Sequence, residues 1–199
     1  VPTGVAMRDA REQLFDAAER VLLRDGPNAL TSRAVTTEAD CAKGVLHRHF
    51  ADFDAFLAEL VLDRVARLGG QATALHASAG TGTVAGNLTG ALTELFETVA
   101  VAIVGLVISR DDLRARLRRA GSPGLPVLAE AGAMLASYLT AECEMGRIAA
   151  DADVDTLAFT LVGAGHLLYA GTGGAPPETG ALDRIVATVI ADVVQRRLL

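Results

Sequence analysis

The stretch Thr31–Phe50, TSRAVTTEADCAKGVLHRHF, limits what this chain can fold into more than any other. It reads as two short helices joined by a tight turn. Thr31 and Ser32 are N-cap residues, whose side-chain oxygens accept a free N–H of the first helical turn. The first helix runs to about Ala39, with Val35 and Ala39 on one face. The turn falls at Ala39-Asp40-Cys41, and Asp is among the few non-glycine residues that tolerate a left-handed backbone. A second helix from Ala42 or Lys43 puts Leu46 and Phe50 on its inner face at i, i+4 spacing. Lys43, Gly44, His47 and Arg48 are left pointing outward. Such a pair, one helix anchored and the other showing a small basic face, is what a helix-turn-helix needs to enter a DNA major groove.

At these residues the chain resembles the DNA-binding domain of the TetR family of bacterial transcriptional regulators. Thr31, Ala39, Lys43, Gly44, Leu46, His49 and Phe50 fit the family pattern. Thr36 stands where Ala is usual, Asp40 where Gly is usual and Cys41 where Val is usual. His47 replaces a Tyr and Phe53 a Lys, both of which commonly touch DNA phosphates in the family. The resemblance covers about residues 8–60. It implies an all-α chain: a three-helix helix-turn-helix domain over residues 1–52, then a larger helical ligand-binding and dimerisation domain over 53–199, joined through a connector helix from about 53.

Composition bears on this at two points. Net charge is −6, which argues against a generic polyanion binder, so DNA binding must rest on local charge. Residues 41–50 hold Lys43, His47, Arg48 and His49 and no acid, and Lys43 is the only Lys beside 17 Arg. Hydrophobic residues make up 51% and charged residues 21%, enough for a substantial core. The longest apolar run, Val99–Ile108, is too short to span a bilayer, and a cytoplasmic protein is the expectation.

In chain order, residues 1–7 read as a flexible arm, and a helix runs from about Asp9 to Arg24, closed by Gly26-Pro27. Arg8 is a candidate to touch a phosphate, the alternative being a flexible terminal Arg that is only solvated. A long helix spans Phe53 to about Leu68, with Asp52 as its cap and Gly69-Gly70 as a break. The segment Ser78–Thr83 is a second break; its Gly80-x-Gly82 lacks the preceding strand of a dinucleotide loop. Val84–Ile108 reads as one long apolar helix, Asp111–Arg119 as a short charged one and Gly121–Gly124 as a loop. Helices follow at Leu125–Gly146, Val154–Tyr169 and about Leu182–Leu198, with a turn over Gly171–Pro177.

Two tasks divide the proposed DNA contacts. Thr31, Ser32, Arg33 and His49 grip phosphates. Lys43 reaches guanine acceptors, Gly44 admits close backbone approach, and Ala42 or Val45 meets a thymine methyl, with His47 and Arg48 completing the face. If His47 meets a phosphate, its protonation favours binding, so affinity rises as pH falls toward 6. One protomer offers few such contacts, so a homodimer on a palindromic double-stranded operator is expected. Leu161, Gly165, Leu168, Ile185, Val189 and Val193 on the last two helices are candidates for its interface, with Gly163, Ala164 and Gly165 allowing close approach.

The resemblance further implies that a small, largely apolar effector binds the second domain and weakens DNA binding, as in a repressor. Phe96, Met134, Tyr138, Phe159 and His166 are candidates to line its pocket, with Arg110 or Glu142 as polar anchors. The alternatives are a DNA-binding dimer without small-molecule response, or a helical lipid or small-molecule carrier. No nucleophile motif, metal spacing or phosphate loop points to an enzyme, and no cofactor or metal is expected. Cys41 and Cys143 fit no metal or redox spacing.

Overall fold

The computed structural model describes the backbone of residues 4–172 and 175–196, and the side chains of 10–172 and 175–194. Among these residues every element is helical: α1 (Gly4–Asp25), a 3-10 turn (Pro27–Ala29), α2 (Ser32–Glu38), α3 (Gly44–His49), α4 (Phe53–Ala77), α5 (Val84–Phe96), α6 (Ala100–Ser109), α7 (Asp111–Arg119), α8 (Pro126–Glu144), α9 (Val154–Ala170) and α10 (Ala181–Arg196). They form two compact units. One comprises residues 1–64 and 102–126, the other 65–101 and 127–199.

The first unit is built on the apolar stripe of α1. Leu14, Phe15, Ala18, Val21 and Leu22 are buried, together with Val35 of α2, Leu46 of α3 and Phe56, Leu57, Leu60 and Val61 of α4. Phe15, Phe50 and Phe56 close this core as an aromatic cluster, with Phe50 and Phe56 edge to face at 5.0 Å. Each such side chain contributes about 1.5–3 kcal/mol on leaving water, which is how helices of six and seven residues, too short to persist alone, are held. Arg64 of α4, itself buried, is ion-paired with Glu19 and Asp16 of α1.

In the second unit α5, α9 and α10 pack on one another. Leu88, Leu92, Leu95 and Phe96 of α5 meet a core to which α9 gives Ala158, Leu161 and Val162, and α10 gives Val186, Ile190 and Val193. A polar network crosses this unit near α8. The Glu142 carboxylate is buried, accepts the Gly80 N–H at 3.3 Å and pairs with Arg147 at 3.1 Å. Asn87 donates to the Tyr138 hydroxyl at 3.0 Å and to the carbonyls of Ser78 and Thr81. These bonds hold the 78–83 loop, where Gly80 and Gly82 take positive φ.

Three expectations are corrected. α1 begins at Gly4, not near Asp9, because Ala6, Met7 and Arg8 continue a helix-forming run with no breaker; residues 1–3 of the expected arm lie outside the described ones. α4 does not stop at Gly69-Gly70 but continues to Ala77. Each glycine costs about 1 kcal/mol against Ala in a helix, and burial of Leu68 and Leu75 on either side offsets that cost. The apolar run Val84–Ile108 is two helices. The Thr98 hydroxyl donates to the Leu95 carbonyl at 2.6 Å and accepts the Ala100 N–H at 3.4 Å, a local exchange that competes with the helical ladder. No single helix among the described residues is long and apolar enough to cross a membrane.

Candidate nucleic-acid interface

The first unit presents α2 and α3 through a turn whose geometry the sequence specifies. Thr31 caps α2: its extended backbone turns the side-chain oxygen onto the Ala34 N–H at 3.1 Å. At the other end Asp40 adopts φ 48, while the Cys41 N–H reaches the Thr36 carbonyl at 3.0 Å and the Asp40 N–H the Thr37 carbonyl at 3.2 Å. This pair of bonds is a Schellman closure with Asp in the position usually held by Gly. It stops α2 and redirects the chain. The buried Thr36 hydroxyl is satisfied by the Ser32 and Arg33 carbonyls.

α3 then lies with Leu46 and Phe50 buried, as the i, i+4 spacing requires. Ala42, Lys43, Gly44, His47 and Arg48 are exposed, and Val45 and His49 are half-buried. Thr31 and Arg33 are exposed and Ser32 is half-buried, its Oγ without a hydrogen-bond partner among the described residues. Arg33, Lys43, His47 and Arg48 enter no ion pair or side-chain hydrogen bond among the described residues. The side chain of Arg8 lies outside the described ones.

Sequence reasoning missed the residue that holds the far end of α3. Arg11 of α1 donates to the His49 carbonyl at 3.4 Å, sets its guanidinium 4.5 Å from the Phe50 ring centre, and pairs with Glu59 of α4. Its position on the polar face of α1 gave no signal beyond one charge among several. A second tie, Arg20 and Arg24 on Glu38, joins α1 to α2 and holds the Glu38 carboxyl below its usual range.

Charge is distributed as a DNA-binding reading needs. The whole formal balance of −6 belongs to the second unit, and the first is neutral overall. The exposed face of α3 therefore keeps its local positive sign.

The residues expected to bind an effector or a second copy are scattered. Phe96 and Met134 are buried, and Phe96 lies 6.1 Å from the His166 ring and 5.7 Å from Tyr169. Burial lowers the His166 pKa, and its Nδ1 has no hydrogen-bond partner among the described residues. Tyr138 and Glu142 are committed to the network around the 78–83 loop, where burial and then Glu142 push the Tyr138 pKa well up. Arg110 belongs to the first unit and donates to the Leu30 carbonyl at 2.9 Å. Phe159 is 80% exposed, so it lines no interior of its unit. Among the expected interface residues, Leu161, Gly165 and Val193 face inward. A Cβ on Gly165 would come within 2.6 Å of the Phe96 ring, so this glycine admits Phe96 and not a partner helix. Leu168, Ile185 and Val189 are half-buried, and the outward face of α9 carries Phe159, Gly163 and Leu167.

The thiols of Cys41 and Cys143 are both pushed up by burial, away from the reactive range. No group of His, Cys, Asp and Glu suited to a metal ion occurs among the described residues.

Residues 14–60 match the family model of the bacterial regulatory proteins, tetR family. No curated protein matches the chain. Among solved structures, reduced Escherichia coli NemR is similar at 16% identity over 91% of this chain and 95% of that one, with a TM-score of 0.71. The transcriptional regulator FadR of Bacillus subtilis, in complex with stearoyl-CoA, is similar at 17% identity over 92% and 97%, with a TM-score of 0.66. The multidrug binding protein EbrR, complexed with imidazole, is similar at 23% identity over 90% and 94%, with a TM-score of 0.57. Residues 14–60 are thus similar to the bacterial regulatory proteins of the tetR family, and the fold is shared along most of the chain with solved structures such as a transcriptional regulator described as TetR-family from Mesorhizobium loti, at 16% identity over 98% of each chain with a TM-score of 0.69.

Proposed function

We propose that this protein is a sequence-specific DNA-binding transcriptional regulator, acting as a homodimer on a palindromic operator and released from it by a small, largely apolar effector. The observation that carries this reading is the acid-free outer face of α3. Lys43, Gly44, His47 and Arg48 stand exposed, with no ion pair or side-chain hydrogen bond among the described residues, on a helix whose other face is anchored by Leu46 and Phe50. Lys43 and Arg48 read base edges, while Thr31, Ser32, Arg33 and His49 hold phosphates and fix the pose.

The dimer reading is supported by α9, which leaves Phe159 at 80% and Leu167 at 73% exposure with Gly163 between them on the same face. A second copy of this face, with Leu168, Ile185 and Val189 beside it, covers both side chains. The effector reading is supported by Phe96, His166 and Tyr169, an aromatic group in which the buried His166 Nδ1 has no hydrogen-bond partner among the described residues. It is also supported by two similar proteins, one bound to stearoyl-CoA and one described as multidrug-binding.

Selection of bound duplexes from a random pool tests the central reading. The expected result is one inverted-repeat sequence, lost when Lys43→Ala and Arg48→Ala are combined. A pool that never converges overturns it.

A further inference from the structure

Residues 102–126 lie far along the chain from the helix-turn-helix, yet they belong to its unit, and both ends of the segment run on into the second unit. Two arginines of this segment end on two acids at the start of α4. Arg116 Nη2 lies 2.7 Å from Asp52 Oδ2, and Arg110 Nη1 lies 3.7 Å from Asp54 Oδ1. Arg110 also donates to the Leu30 carbonyl, just before the α2 cap, and its guanidinium rests 5.5 Å from the Phe53 ring centre. Asp52 meanwhile caps α4, its Oδ1 accepting the Ala55 N–H at 2.6 Å.

The position of these acids matters. Asp52 follows His49 by three residues, so their Cα atoms are within about 11 Å of each other. That is close to the screening length of about 10 Å at 0.1 M salt. A bare Asp52 carboxylate at that distance from a DNA-reading helix opposes the phosphates it approaches, and Asp54, two residues further on, adds to it at longer range. Both are instead matched by a guanidinium from the segment 102–126.

We propose that Arg116 and Arg110 act as charge masks, neutralising Asp52 and Asp54 beside α3, so that withdrawing the segment 102–126 from the head uncovers two negative charges and expels DNA. This deepens the DNA-binding reading above and rests on it. It supplies an electrostatic route by which events in the second unit reach the operator without any change in the shape of α3. Arg116 and Arg110 are positioning and neutralising residues here, and neither needs to touch DNA.

A charge cycle on the Arg116–Asp52 pair separates masking from simple bracing. Asn is as good an N-cap as Asp, so Asp52→Asn keeps the α4 cap. Operator affinity is measured for the full-length protein, Arg116→Met, Asp52→Asn and the double variant, at about 50 mM and about 500 mM salt. A unit charge at about 10 Å from each of a few phosphates changes affinity about 3-fold at the lower salt. Masking predicts that Asp52→Asn binds about 3-fold tighter than the parent and Arg116→Met about 3-fold weaker. The double variant returns to the parent value, and the differences shrink at the higher salt. The Arg110→Met and Asp54→Asn pair follows the same order, with the weakening by Arg110→Met only partly restored because the Leu30 bond is also lost.

The proposal is overturned if Asp52→Asn binds no tighter than the parent, or if the double variant is as weak as Arg116→Met. The latter is what a brace that merely shapes the head would give. If Arg116→Met fails to fold, the Asp52→Asn arm alone decides, through tightening or its absence. A parent protein with no preference among duplexes sinks the DNA-binding reading itself, an outcome distinct from a parent that binds while its variants do not differ.

Discussion

Two glycines two residues apart, and so on opposite faces of α9, make opposite predictions. Gly165 faces Phe96, and a Cβ there would lie 2.6 Å from Phe96 Cε2, 3.1 Å from Cδ2 and 3.7 Å from Leu92 Cδ2. The first distance is far inside contact, and both partners are buried side chains of α5 that have little room to retreat. Overpacking of this kind costs about 1–3 kcal/mol. Ala gains about 1 kcal/mol over Gly in a helix, so Gly165→Ala is expected to lose about 0–2 kcal/mol. Gly163 has nothing within 4 Å of the same added atom, so Gly163→Ala should gain about 1 kcal/mol in the protomer. The pair therefore differs by about 1–3 kcal/mol in a fixed direction. Urea unfolding at two protein concentrations a hundredfold apart measures it, because the Gly165 effect is internal and independent of concentration. Crowding of a partner at Gly163 appears as weaker association only. If Gly165→Ala is as stable as Gly163→Ala at both concentrations, the assignment of inward and outward faces on α9 is wrong.

Other consequences are open to similar tests. Asp40→Val places a β-branched residue at φ 48 and should cost about 1–2 kcal/mol in thermal unfolding, whereas Asp40→Gly should fold at least as well. Phe159→Glu with Leu167→Glu should leave the protomer folded and halve the mass seen by light scattering; an unchanged mass places the interface elsewhere. Because burial raises the Tyr138 pKa in the folded state, the folded protein holds that proton above pH 10 while the unfolded chain releases it. Stability contributed by Tyr138 is thus present below about pH 10 and lost as pH climbs beyond it, and Tyr138→Phe should flatten that alkaline decline in urea titrations.

How much of this was legible depended on whether a residue had one environment available to it or several. Thr31, Asp40, Leu46 and Phe50 were readable because each does something few residues do at that spacing: cap, take positive φ, or anchor at i, i+4. α7 was readable for the same reason, being charged at every position but Ala115 and the two leucines Leu113 and Leu117, which are buried. The faces of α9 were not. That helix is apolar nearly all round, so its sequence does not distinguish the stripe with Leu161 and Gly165, which went inward, from the stripe with Phe159 and Leu167, which did not. Gly69-Gly70 looked like a stop because glycine is a weak helix former, yet neighbouring burial outweighed it. The partnership of Arg110 and Arg116 with Asp54 and Asp52 spans more than fifty residues and left no local trace.

Competition for a selected operator is the most direct measure of whether α3 reads DNA. Protein with Lys43→Ala and Arg48→Ala is compared with the parent on that operator and on a duplex of shuffled sequence at one moderate salt concentration. If the exposed face of α3 reads bases, the preference for the operator falls by about 10-fold or more, since each good base contact is worth about 1–3 kcal/mol. Binding to the shuffled duplex weakens far less. A variant that keeps the parent's full preference contradicts the account at its centre.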